Sequence, residues 1–233
     1  MKPSKAYIIR IDTPTSHEYA KVCAESCDKH GIEWEYFDGY KPVDDIVMWQ
    51  NFEKTAGIPI PRCRSLPLGA AGCTASHAHL WKQIADRKEC AIILEHDAIM
   101  VAPCNVDMPH DRIVALGYKY YNADKYDAEA AGEPTRVIDV DNNPGSHAYA
   151  VTYKMAQTLV NELITDGIIC AIDNRHFLPM RKNFTKTKMA LTDPICAMGW
   201  LRDSTIWNRS ASENNTAEMQ DSFKNNFHGD LIE

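Results

Sequence analysis

Apolar residues dominate Tyr7-Ile8-Ile9-Arg10-Ile11, and Asp12-Thr13-Pro14 follows at once, so the spacing predicts a buried strand halted by residues that resist extension. Thr15-Ser16-His17-Glu18 has capping-box spacing, and Tyr19, Val22, Cys23 and Cys27 recur at helical intervals. Gly31 stands where a helix end favours a left-handed residue. Ile32, Trp34 and Tyr36 then alternate with Glu33 and Glu35, the pattern of a half-buried strand. The chain is expected to open β-α-β.

Between Gly39 and Leu68 the periodicity fades under prolines at 42, 59, 61 and 67, which predicts an irregular insertion with one short helix around Asp44 to Lys54. Regularity returns with a helix over Thr74 to Arg87 and an all-apolar strand, Cys90-Ala91-Ile92-Ile93-Leu94, of the kind covered on both faces of a sheet. Further strands are expected at Arg112 to Leu116, Arg136 to Val140 and His147 to Thr152, followed by a helix from Lys154 to Asp166 closed by Gly167. Beyond Leu191 the chain is polar and poorly periodic, and 210–216 reads as a loop. There is no internal repeat. The expectation is a single α/β domain over 1–191, with a mostly parallel central sheet flanked by helices, and a tail over 192–233 that completes the site.

Composition narrows the classes of function. With 45% hydrophobic and 24% charged residues, the chain has the balance of an ordinary globular protein. The apolar run at Ala91 is cut by Glu95-His96-Asp97, far short of a membrane span. The N-terminal segment lacks the apolar core of a secretory signal, so a cytoplasmic location is expected, in a bacterial or virus-infected cell. Eight cysteines stand singly, with no CxxC pair, and read as reduced, mostly buried thiols. A net charge of -7 argues against a simple polyanion-binding protein, yet Arg175 to Lys188 carries five basic residues and no acid. Tyr118, Tyr120, Tyr121 and Tyr126 interleave with Lys119 and Lys125 as potential stacking surfaces, although a charged run is commonly just a solvated face.

The sharpest chemical feature is Leu94-Glu95-His96-Asp97. A buried strand ending in two acids places them at the carboxyl edge of the sheet, where open α/β sheets bind ligands. In extended chain, Glu95 and Asp97 point the same way and present the oxygen ligands that Mg2+ or Mn2+ select. Acids after a strand also serve as caps or solvated turn residues. Gly72-Cys73-Thr74-Ala75-Ser76-His77 upstream and Gly145-Ser146-His147-Ala148-Tyr149-Ala150-Val151 downstream are rich in small and polar residues that permit close approach of a ligand.

Taken in order, the first strand with Asp12, the Gly72-Cys73 and Ser76-His77 block with Leu80-Trp81, Ile93 to Asp97, Ala148 to Val151 with Ala156 and Leu159, and Ala171-Ile172-Asp173 together resemble glycosyltransferase family 25. This family groups lipopolysaccharide-type and collagen-type galactosyltransferases. Two positions depart from its pattern: His96 interrupts what is usually three consecutive acids, and Arg10 stands where Asn is usual. The resemblance implies a GT-A type, Rossmann-like domain that transfers a sugar from a nucleotide-sugar donor, a UDP-sugar foremost, to a hydroxyl, with inversion. It implies donor contacts from Ile9, Asp12, Ser76, His77 and Glu95, and a divalent cation, Mn2+ or Mg2+, held by Asp97 with Glu95 beside it.

A late-chain histidine often completes such a metal site, which makes His228 the third ligand candidate; an exposed terminal histidine is the other reading. Asp173 matches the family's late aspartate and is the expected general base or acceptor ligand, against a helix-cap or ion-pair role. Ser76 and His77 are adjacent on a helix and do not face one another, so a hydrolase dyad is not expected. His77 is expected to hydrogen-bond the site loop or to be structural. His147, Arg181 and Lys182 are the acceptor-side candidates. The basic run suits an anionic acceptor, either a lipopolysaccharide-type glycan or a hydroxymethylated base in viral DNA. A collagen-type acceptor fits this N-terminus least. The alternative function is a non-catalytic nucleotide-sugar or glycan-binding module on the same fold.

Overall fold

The computed structural model describes residues 1–41, 45–59, 66–117, 119–120, 135–140, 145–168, 171–172 and 188–200. Strand β1, Lys5–Arg10, leads into helix α1, Pro14–Lys29, and then β2, Trp34–Asp38, which pairs parallel to β1. The expected β-α-β opening is present. The cap of α1 is Thr13, whose hydroxyl accepts a bond from the Ser16 amide, two residues ahead of the capping box read from the sequence. Pro14 fills the first turn, where its missing N–H costs nothing. Gly31 adopts φ 66°, the left-handed conformation its position after the helix predicts.

Helix α2, Asp45–Ala56, is the short helix of the insertion. Helix α3, Leu68–Arg87, begins six residues before the expected start. Gly69 and Gly72 weaken local helix propensity there. Burial of Ala70, Ala71 and Gly72 shows that tertiary packing decides the start instead. Strand β3, Cys90–Glu95, pairs parallel to β1 on the side away from β2.

The chain then turns at His96 and Asp97 into β4, Ala98–Met100, which the sequence reading left out. Strands β5, Arg112–Ala115, β6, Lys119–Tyr120, β7, Arg136–Val140, and β8, Ala148–Thr152, follow. Helix α4, Tyr153–Asp166, is capped by Thr152 and closed by Gly167. Strands β9, Lys188–Asp193, and β10, Ala197–Trp200, end the described chain.

The seven-stranded sheet runs β2-β1-β3-β8-β5-β9-β7, and a three-stranded sheet runs β4-β10-β6. Here the expectation of a mostly parallel sheet is corrected. The pairs β2-β1, β1-β3 and β5-β9 are parallel, whereas β3-β8, β8-β5 and β9-β7 are antiparallel. An all-apolar strand covered on both faces reads the same in either direction, so its pattern cannot fix the sense of pairing. The segment after Leu191, expected to lack regular structure, supplies the end of β9 and all of β10.

Alternation sorts the sheet's side chains between two cores. Tyr7, Ile9, Ala91, Ile93, Tyr149 and Val151 pack with α2, α3 and α4. Ala6, Ile8, Ile92, Leu94, Ala148 and Ala150 pack with α1 and with Ala98, Met100 and Ala197 of the small sheet. Among the described residues, no helix is long and apolar enough to cross a membrane. Asp173, Arg181, Lys182, His228, Tyr118, Tyr121 and Tyr126 lie outside the described residues, as does the basic run up to 187.

Candidate active site

The connection from β1 to β2 places its helix on one face of the sheet, while α2 and α3, which lead on to β3, cover the other. The sheet order therefore reverses between β1 and β3. The carboxyl ends of two parallel strands splay apart at such a switch point and leave a crevice for ligand. Glu95 is the last residue of β3, paired with Ile9 of β1, and Asp12 lies two residues past the end of β1.

Glu95 follows Ala91 and Ile93 on the face covered by α3. Its Oε1 accepts a bond from Ser146 Oγ at 2.5 Å, stands 3.4 Å from His77 Nε2 and receives the Cys73 thiol at 4.0 Å. Its backbone amide donates to the His147 carbonyl at 2.8 Å. His77 is fully buried. Its Nδ1 lies 2.7 Å from Tyr149 Oη, which also accepts from Trp81 Nε1 at 2.9 Å. A continuous polar chain thus runs from Trp81 through Tyr149 and His77 to Glu95 and Ser146, inside an otherwise apolar core.

Extended geometry ends at Glu95, because residues 96 and 97 form the turn into β4. Strict alternation therefore does not carry over from Glu95 to Asp97. Asp97 is half-buried, and its carboxylate acts on Cys23 of α1, where it helps a hydrogen bond with Cys27 and burial to push the Cys23 thiol up. His96 stacks on Tyr19 of the same helix, with ring centroids 6.0 Å apart. The residue that interrupts the expected acidic run is thus taken into packing against α1.

The other candidates fall into two groups. Asp12 is fully exposed beside His17, and its carbonyl accepts from Lys41 Nζ at 2.9 Å. Ile9 and His147 are buried in the interior. Ser76 is buried too, and its hydroxyl donates to the Gly72 carbonyl at 2.7 Å while accepting the Tyr40 amide at 2.9 Å. That bond holds the strap Gly39-Tyr40-Lys41 over the end of β1, with Gly39 donating to the Arg10 carbonyl. A Cβ on Gly39 would stand 2.8 Å from Ser76 Oγ and 3.0 Å from Ile9 Cγ2, so close approach requires glycine there. Beside the strap, a cavity of about 420 Å³ opens between β2, α2 and α3, with Phe37, Tyr40, Met48, Asn51 and His79 among its walls.

Cys73, Tyr149, Trp81 and Ser146 are the residues to which the sequence reading assigned no role. Only Cys73 carried a readable signal: it precedes His77 by four positions on one helix, a spacing that places the two side chains on a common face. Among the described residues, Cys73, His77 and Glu95 form the one group of three side chains able to hold a metal ion, and Asp97 is not part of it.

Residues 4–106 match glycosyltransferase family 25 (LPS biosynthesis protein). No curated protein sequence matches the chain. Among solved structures, the chain is similar, at 13% identity and a TM-score of 0.41, to the galactosyltransferase LgtC in complex with donor and acceptor sugar analogues, over 94% of this chain and 95% of that one. It is also similar to the apo form of the glycosyltransferase GlyE of Streptococcus pneumoniae TIGR4, at 12% identity and a TM-score of 0.34, over 70% of this chain and 38% of that one. A second GlyE structure gives 11% identity and a TM-score of 0.36, over 79% of this chain and 45% of that one. The chain thus spans less than half the length of GlyE. The matched residues include β1, β2, β3 and the turn that carries Asp97, so it is the part of the chain that builds the crevice that is similar to glycosyltransferase family 25.

Proposed function

We propose that this protein is a metal-dependent glycosyltransferase that moves a sugar from a nucleotide-sugar donor, a UDP-sugar foremost, onto an acceptor hydroxyl with inversion. The observation that carries the reading is the placement of acidic residues at the adjacent carboxyl ends of β1 and β3, at the reversal of sheet order, within the family match.

In this reading the donor lies across the crevice with its diphosphate toward the β3–β4 turn. Asp12 meets the ribose or base, and the strap held by Ser76 forms the wall beside it. The cavity at Phe37 and Tyr40 offers apolar faces next to polar atoms, a composition suited to a nucleobase. Asp97 is a half-buried hard oxygen donor at the crevice, which fits Mn2+ or Mg2+, and His228, outside the described residues, is the proposed further ligand. The cation, when bound, neutralises the negative charge that develops on the diphosphate as the glycosidic bond breaks. Asp173 takes the proton from the acceptor hydroxyl while its oxygen attacks the anomeric carbon from the side opposite the leaving diphosphate. Glu95, held by Ser146 and by the bond from its amide to the His147 carbonyl, keeps the end of β3 rigid beneath the donor.

On the acceptor side, Arg181 and Lys182 belong to the basic run and His147 to the segment before β8. An acidic chain with one acid-free basic stretch fits an anionic acceptor, either a phosphorylated lipopolysaccharide-type glycan or a hydroxymethylated base in DNA. Offering radiolabelled donor to a lipopolysaccharide extract and, separately, to hydroxymethylated DNA tests this. Label in one of the two supports an anionic acceptor, and a donor that labels neither, while still being bound, favours the non-catalytic module.

A further inference from the structure

A hard cation at Asp97 leaves unexplained why a thiol and an imidazole face the carboxylate of Glu95. Cys73 and His77 project from one face of α3, one turn apart, and Glu95 closes the triangle from β3. One ligand atom of each lies within 4.8 Å of the other two. Nε2 of His77 is 3.4 Å and Sγ of Cys73 is 4.0 Å from the same oxygen, Glu95 Oε1. A tetrahedral Zn2+ spaces its nitrogen, oxygen and sulfur ligands about 3.3–3.8 Å apart, so this triangle closes round an ion through shifts of about an ångström or less.

The orientation of His77 is an independent observation. The residue is 0% exposed, and its Nε2 lacks the alignment of a hydrogen bond to Glu95. The Trp81 indole is a donor only, so Tyr149 Oη accepts from it; toward His77 Nδ1 the same oxygen can donate its own proton or offer its second lone pair to Nδ1–H. With its proton on Nδ1, His77 turns the Nε2 lone pair toward the carboxylate. Two acceptors 3.4 Å apart require something positive between them, either a proton or a metal ion. The thiol as third neighbour selects a borderline-soft ion over a hard one. The remaining contacts also have the form of a metal site: the ligating histidine's other nitrogen is held by a hydroxyl, and the ligating carboxylate by Ser146.

We propose that Cys73, His77 and Glu95 form a three-ligand Zn2+ site, open at its fourth position, that ties α3 to the end of β3. Its soft donor set separates it from the hard cation assigned to Asp97, and it does not depend on the glycosyltransferase reading. Cys73 gives up its thiol proton to solvent as the ion binds.

Titration of metal-free protein with Co2+ as the spectroscopic probe tests the site. The expected result is a thiolate-to-cobalt charge-transfer absorption that saturates at one equivalent and is displaced by Zn2+. Cys73→Ser, nearly isosteric, abolishes the absorption, and His77→Gln weakens Co2+ binding at least about tenfold. Tyr149→Phe weakens it by about 10- to 100-fold through loss of the hydroxyl that orients the His77 ring. Asp97→Asn leaves the absorption intact even where it removes Mn2+-dependent nucleotide binding, so the two metal assignments fail separately. A folded protein that shows no such absorption has only a proton between His77 and Glu95, and the proposal is overturned. An absorption that survives Cys73→Ser, or that disappears with Asp97→Asn, overturns it as well.

Discussion

Tyr149 Oη is the shared partner of the Trp81 N–H and His77 Nδ1, and removing that oxygen strands both. Tyr149→Phe leaves the Trp81 N–H and one nitrogen of His77 without their partner in a dry core. Each stranded group costs about 1–3 kcal/mol, so equilibrium denaturation should show a loss of about 2–4 kcal/mol with the fold intact. His79, also on α3, makes a different prediction. It packs edge-on against Phe37, with Nδ1 3.0 Å from Tyr40 Oη, and burial lowers its pKa. The unfolded chain then binds the proton more readily than the folded one. The resulting loss of stability is absent above the unfolded pKa of about 6.5 and grows as pH falls through it. A stability profile from pH 7.5 to 5 should decline less steeply in His79→Gln than in the parent protein. At this scale the sequence exposed Glu95, Asp97 and His77 as chemistry-bearing residues. The partners of Glu95 were hidden because Ser146 and Cys73 reach it through the fold, across 51 and 22 residues.

Strands and helices were legible wherever local pattern and tertiary demand agree, as in β3, β7 and α4. They were not legible where packing overrides local preference. Helix α3 starts within a glycine-bearing segment because small side chains are needed under it, and β4 is only three residues long. Strand direction was hidden for a different reason: the antiparallel insertion of β8 between β3 and β5 leaves no mark on a wholly buried run. The join between the two sheets depends on one glycine. A Cβ on Gly117 would stand 1.7 Å from the Ala197 carbonyl oxygen, an overlap that only movement of β10 can relieve. Gly117→Ala should therefore cost at least about 3 kcal/mol. The amides of Cys196 and Ala197, which both bond to the Leu116 carbonyl, should lose hydrogen-exchange protection first.

Taken whole, the molecule carries its acidic crevice at the point where sheet order reverses, with a family 25 match covering the strands that build it. Much of this was readable in advance, because a strand ending in acids after a β-α-β opening constrains where a ligand can sit. The reading erred in extending the strand geometry through Asp97, since the chain turns at residue 96. Asp97 is thereby separated from the soft cluster around Glu95. The most direct test is a titration of Mn2+ and UDP-sugars against the wild-type protein and Asp97→Ala, following nucleotide binding and slow donor hydrolysis. The account predicts nucleotide binding that requires the metal, together with donor hydrolysis, both lost in Asp97→Ala while the fold and the thiol-dependent Co2+ absorption persist. Donor hydrolysis that proceeds unchanged in Asp97→Ala would contradict it.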